Sequence, residues 1–92
     1  PKEEVAQIRQ TITESIPSGT TFHALRTRRA GSRRFADFHF LVPGQMSMHE
    51  AHTLAMKIEA ILCEKMANLE ITIHLEPIEE PTSYDDHAKG VE

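Results

Sequence analysis

Arg33-Arg34-Phe35-Ala36-Asp37-Phe38-His39-Phe40-Leu41-Val42 decides the fold. Ala36, Phe38, Phe40 and Val42 alternate with Phe35, Asp37, His39 and Leu41, the period of two that marks a β-strand. The first set is purely apolar and is expected to face a core. His39 then projects from the opposite face of the sheet.

The neighbouring segments supply its partners. Residues 20–29 read as a second strand, joined to 33–42 through Ala30-Gly31-Ser32, where Gly31 suits a tight hairpin turn. Pro43-Gly44 ends the quoted strand. Ser47, with Glu50 three residues on, is a capping box that opens a helix running to about Ala67. Ala51, Leu54, Ala55, Ile58, Ile61 and Leu62 give that helix its buried stripe. His52, Met56, Glu59 and Cys63 form a neighbouring stripe at the edge of the core, and His49 is more exposed. After Asn68, residues 69–75 form a third strand, with Ile71, Ile73 and Leu75 on one face and Thr72, His74 and Glu76 on the other. The intervening helix is long enough for a parallel crossover. Upstream, residues 3–16 form an amphipathic helix through Val5, Ile8, Ile12 and Ile16, stopped by Pro17-Ser18-Gly19. The element order is therefore α-β-β-α-β. It predicts an α+β two-layer sandwich with both helices on one face of a three-stranded sheet. From Pro77 the chain turns acidic and turn-rich and reads as a tail, giving a domain over 1–80 and an acidic segment over 81–92.

Composition narrows the function. The 92 residues make one domain. A net charge of −4 argues against nucleic acid as a partner. A single cysteine excludes an internal disulfide and fits a reducing compartment. No apolar run approaches the roughly 20 residues that span a bilayer. The chain begins with Pro1 rather than Met, so it is expected to be a piece of a longer protein whose membrane segments lie upstream.

Catalysis finds little support: a three-ligand metal site with an open position could activate water, but the domain is too small to enclose a substrate pocket around it. No serine–histidine–acid set, Gly-rich phosphate loop or HExxH motif is present; His49 and His52 stand three apart, not four. The six histidines point elsewhere. His39, His74 and Glu76 share the face away from the core, and His23 joins them if Phe22 and Ala24 take the core side of their strand. Imidazole with carboxylate suits Zn²⁺ and its first-row neighbours. The same pattern also fits polar residues on an uncovered sheet, and the two readings stand together here. His52 lies on the helix layer, where pattern alone makes it a surface residue. Cys63 reads as helix packing, and His87, beside Asp85 and Asp86, as part of the tail. Arg26, Arg28, Arg29, Arg33 and Arg34 cluster at the hairpin. They read as a solvated loop paired with acidic neighbours, with an anion site for lipid headgroups or nucleic acid as the alternative.

The run His23-Ala24-Leu25-Arg26-Thr27-Arg28-Arg29-Ala30-Gly31 resembles the H-x-L-R-T-R-x-x-G opening of the cytosolic C-terminal domain of cation diffusion facilitators. Phe38-His39-Phe40, Glu50-Ala51-His52 with Ile58-Glu59, and Ile71-Thr72-Ile73-His74-Leu75-Glu76-Pro77 follow in the family's order, so the likeness covers about residues 1–80. The resemblance implies a metallochaperone-like, ferredoxin-type domain on the cytoplasmic face of a homodimeric membrane transporter. Such a transporter exports Zn²⁺, Mn²⁺, Fe²⁺ or Co²⁺, often against protons, and cytosolic metal draws the two domains together. It further implies that His23, His39, His52, His74 and Glu76 hold metal, His52 across the dimer interface. Leu75 stands where some relatives carry a ligand and Glu76 where many have Asp, which points to a simpler site with Asp37 near enough to His39 to substitute. Zn²⁺ is the expected ion, and binding is expected to weaken sharply below about pH 6, where imidazoles protonate. Two other functions fit the same sequence: a free-standing metallochaperone or metal sensor, and a purely structural dimerisation module.

Overall fold

The structure, a computed structural model, describes residues 2–80. Two helices, α1 (Lys2–Ser15) and α2 (Met48–Lys65), and three strands, β1 (Thr21–Ala30), β2 (Arg33–Val42) and β3 (Leu69–Pro77), follow in the predicted α-β-β-α-β order. The strands form one sheet in the order β1-β2-β3. β1 runs antiparallel to β2 and β3 runs parallel to it, so the strand with the cleanest alternation is the central one.

Each helix lies where its apolar stripe directs it. Ile8 and Ile12 from α1 and Ala51, Ile58 and Leu62 from α2 join Ala36, Phe38, Phe40 and Val42 of β2 in one buried cluster. Both helices therefore cover the same face of the sheet. Phe38 and Phe40 are fully buried, and each contributes roughly 1.5–3 kcal/mol by leaving water. Ser47 caps α2 by accepting a hydrogen bond from the Glu50 backbone N–H at 3.0 Å. Gly31 turns the hairpin with φ of 63°, a left-handed conformation that glycine adopts without steric cost.

Three details depart from expectation. α2 ends at Lys65 instead of near Ala67, with Met66 already extended and Asn68 taking a left-handed φ of 61° in the turn into β3. β3 runs on to Pro77 instead of ending at residue 75, and Ile78 N–H donates to Val42 O at 2.8 Å, so Pro77 belongs to the sheet rather than to the start of a tail. The Glu79 carboxylate then accepts from the Gly44 backbone N–H at 2.9 Å, tying this end of β3 to the loop before α2. The acidic segment 81–92, with His87, lies outside the described residues.

The third departure is a register shift in β1. His23 pairs with His39 and Arg26 with Asp37, so Ala24 and Leu25 together oppose Phe38. This is a β-bulge, and Ala24 enters it with φ of 59°. The extra residue resets the alternation. Phe22 and Leu25 both pack against the core, while His23 and Arg26 both take the open face.

Candidate metal centre

The open face of the sheet carries one row of three histidines. His39 on β2 is in register with His23 on β1 and with His74 on β3. The His23 and His39 ring centroids lie 5.3 Å apart, and those of His39 and His74 lie 4.9 Å apart. Glu76, two residues beyond His74, adds its carboxylate, with Oε2 2.8 Å from His39 Nδ1. Single donor atoms of His23, His39 and Glu76 all lie within 4.8 Å of one another. With ligand bonds near 2.1 Å, the donors of a tetrahedral site stand about 3.4 Å apart, so these three need to close by roughly 1.4 Å at most.

Burial separates this cluster from an ordinary polar surface. His39 is only 9 % exposed although it projects away from the core, because it sits on the central strand between His23, His74 and Glu76. Leu41, next along the same face, is fully buried. Glu76 Oε1 is shielded from solvent and has no hydrogen-bond partner among the described residues. A buried carboxylate oxygen left in that state is costly, and a cation satisfies it. Neutral imidazole and carboxylate are ligands of borderline divalent ions, so these residues fit a zinc-class metal.

Sequence reasoning named five candidates, and the fold treats them differently. His23, His39 and Glu76 converge. His74 stacks beside His39 but remains exposed, at the flank of the cluster. His52 stands exposed on α2, in the helix layer, and does not join the group within one chain. Asp37, weighed as a substitute ligand, is held by Arg26 at 3.2 Å. Cys63 is exposed, with its Sγ 3.5 Å from Leu69 O. The arginine cluster mostly pairs as expected, with Arg26 on Asp37, Arg33 on Glu70 and Arg34 on Glu4. No helix among the described residues is long and apolar enough to cross a membrane.

An α-β-β-α-β sandwich with histidines and a carboxylate gathered on its open face is an α+β domain with a candidate metal site on its sheet. The family model described as the cytoplasmic domain of cation efflux proteins matches residues 1–78, and the chain belongs to this family, the cation diffusion facilitators. Among curated relatives, an uncharacterised transporter of Synechocystis is 44 % identical over 66 residues, 72 % of this chain and 21 % of that protein. The cation-efflux pump FieF of Yersinia pestis is 36 % identical over 77 residues, 84 % of this chain and 25 % of the pump. The chain thus spans about a quarter of the length of the curated relatives it matches. Among solved structures, CzrB, described as a zinc transporter, aligns in its Zn form with a TM-score of 0.80 at 42 % identity, over 87 % of this chain and 91 % of that one. The metal-bound C-terminal domain of the CzcD transporter from Thermotoga maritima aligns with a TM-score of 0.76 at 27 % identity, over 86 % and 92 % of the two chains. The family is one of transporter domains rather than of enzymes.

Proposed function

We propose that this domain is the metal-sensing, dimerising cytoplasmic part of a transporter that exports a divalent transition metal, with Zn²⁺ the preferred ion. One observation carries the reading: His23, His39 and Glu76, from three different strands, hold donor atoms within 4.8 Å of one another while a Glu76 oxygen is buried without a hydrogen-bond partner. The likeness to the Zn form of CzrB favours zinc. The rest of the transporter, including its membrane-spanning part, lies outside residues 1–92, so the domain sits at the cytoplasmic face of a membrane and export runs against protons.

Two such domains form the working unit. His23, His39 and Glu76 are the principal ligands, His74 supplies a further imidazole beside His39, and His52 comes from the second copy, since one chain does not bring it to the cluster. Metal held at the paired faces binds the closed dimer better than the open one. That difference in affinity shifts the population toward the form that transports. Protonation competes with binding, because an imidazole ligates only when neutral.

Calorimetric titration of the chain with Zn²⁺ and with Mn²⁺ at neutral pH tests this, together with sedimentation before and after loading. Saturable Zn²⁺ binding, lost in His23→Ala/His39→Ala and accompanied by a more compact dimer, is the expected result. Equal binding in the double variant, or loading that leaves the dimer unchanged, refutes the site or the gating respectively. Zn²⁺ affinity that His52→Ala leaves intact removes His52 from the ligand set.

A further inference from the structure

The arginine-rich hairpin remains unexplained by metal binding. Arg26 to Arg34 holds five of the ten basic residues and no acidic one, so the rest of the chain is strongly acidic. Three of the five are committed: Arg26 to Asp37, Arg33 to Glu70, and Arg34 to both Glu4 and the Ala67 carbonyl. Arg28 and Arg29 are exposed and make no close ion pair among the described residues, Arg29 acting on Glu4 only through its longer-range charge. Arg28 Cζ lies 4.0 Å from the centre of the Phe35 ring, a cation–π contact that holds the guanidinium beside the aromatic face. Between the hairpin and α1 lies a cleft of about 210 Å³, with apolar Val5 and Ile8 and the Arg34-paired Glu4 on one side and Arg28, Arg29 and Arg34 on the other. A guanidinium rim over an apolar floor matches a molecule that joins an anionic phosphate to hydrocarbon.

We propose that Arg28 and Arg29, with this cleft behind them, dock the hairpin on a membrane surface rich in anionic phospholipid. The proposal rests on the reading above only for the nearness of a membrane. The Arg34–Glu4 contact sets the hairpin beside the first turn of α1, so the basic tip and the N-terminal end of the domain share one end of the molecule. Glu4 at that end is already paired with Arg34, and acidic groups farther than about 10 Å from the tip are screened at 0.1 M salt. A planar lipid surface meets the tip alone, whereas a nucleic acid long enough to bind tightly would run along acidic surface as well.

Flotation of the 92-residue chain with vesicles tests this, in 0.1 M salt with chelator present so that the histidine site plays no part. Binding to vesicles containing phosphatidylglycerol, and not to pure phosphatidylcholine, is expected. Arg28→Gln/Arg29→Gln should lower the partition coefficient about 30-fold, roughly fivefold for each charge removed. Arg28→Lys/Arg29→Lys keeps the charge and should stay within a few-fold of the parent, and circular dichroism checks that every variant is folded. Lys57→Gln/Lys65→Gln removes the same charge from α2 and should change nothing. Equal partition onto neutral vesicles, an equal loss in the α2 variant, collapse of binding in the lysine pair, or displacement by millimolar inorganic phosphate each overturns the proposal. So does binding of the parent to an RNA oligomer in place of vesicles.

Discussion

Replacing Glu76 by glutamine separates a metal ligand from a structural carboxylate, because the two roles predict opposite changes. In the metal-free chain the Glu76 side chain is 21 % exposed, lies 2.8 Å from His39 Nδ1 and leaves Oε1 buried without a partner. A buried polar atom left unpaired costs about 1–3 kcal/mol, and the lost contact with His39 is worth about 1 kcal/mol. The near-isosteric, uncharged glutamine reduces the first term while surrendering part of the second. Glu76→Gln should therefore leave the metal-free fold unchanged or up to about 1 kcal/mol more stable. Metal affinity should fall by at least about 100-fold, more than outer-shell substitutions typically cost. With free Zn²⁺ at about a thousand times the parent's Kd, binding stabilises the parent by about 4.1 kcal/mol. The same Zn²⁺ concentration stabilises the variant by about 1.4 kcal/mol. For a domain of this size each kcal/mol moves Tm by roughly 4–8 °C, so the Zn²⁺-induced rise should shrink from about 16–33 °C to about 6–11 °C. Thermal melts with chelator and with buffered Zn²⁺, at one chain concentration, measure both quantities. A variant that melts well below the parent in chelator yet gains as much from Zn²⁺ would show that Glu76 holds the sheet together and does not bind metal.

Ala24→Gly should relieve the left-handed φ of 59° at the bulge. Relief of roughly 1–2 kcal/mol is offset by the extra freedom of glycine in the unfolded chain, for a net gain of about 0.5 kcal/mol or 2–4 °C in Tm. A lower melting temperature would mean that the alanine methyl packs to more effect than the backbone strains. A second expectation concerns acid. The hydrogen bond from Arg34, aided by its charge, holds the Glu4 carboxyl below its ordinary value of 4.5. Folding then favours the ionised form, so this contribution is fully present above pH 4.5 and is lost as the pH falls through the lowered value. Denaturant midpoints of the parent and Glu4→Gln should differ near neutrality and converge at the acid end; a constant difference across the range would remove the linkage.

The sequence made some of this legible and hid the rest for identifiable reasons. β2 alternates apolar and polar from Ala36 to Phe40 and lies at the centre of the sheet, so its two faces could be read directly from Phe38, His39 and Phe40. The Ser47 cap marked the start of α2, since its side chain has one obvious backbone partner three residues on. The bulge was invisible to a rule of strict alternation. Its one trace is the adjacent apolar pair Ala24-Leu25, which no regular strand can send to a single face. The burial of His39 was hidden as well, because it comes from register: only when His23, His39 and His74 fall in one row does the central ring lose its water. His52 was named through family resemblance alone, and a single chain gives it no place in the cluster. Reading β3 as ending near residue 75 failed at Pro77, a residue that usually stops a strand. It is tolerated here because β3 is an edge strand, where a missing backbone N–H need cost nothing.

The same arrangement says which parts of the centre can respond to metal. His39 stands between Phe38 and Phe40, both fully buried, so it cannot move without disturbing the core. His23 and Glu76 lie on the two edge strands, one beside a bulge and the other one residue before the end of β3. Closing the donors from 4.8 Å toward tetrahedral spacing must therefore draw the edges inward on a fixed middle. The β3 end is not isolated. Glu79, three residues beyond Glu76, holds the Gly44 backbone N–H, and from Gly44 the chain runs directly to the Ser47 cap and the first turns of α2, where His52 stands. Gly44 leaves little slack in that contact, since a Cβ there would meet Glu79 Oε1 at 3.0 Å. On the proposed reading, a shift of β3 at the centre would reach the start of α2 through the hydrogen bond that the Gly44 backbone N–H donates to the Glu79 carboxylate. Cutting it with Glu79→Ala should weaken the coupling between Zn²⁺ binding and dimer closure while leaving the ligands of a single chain in place.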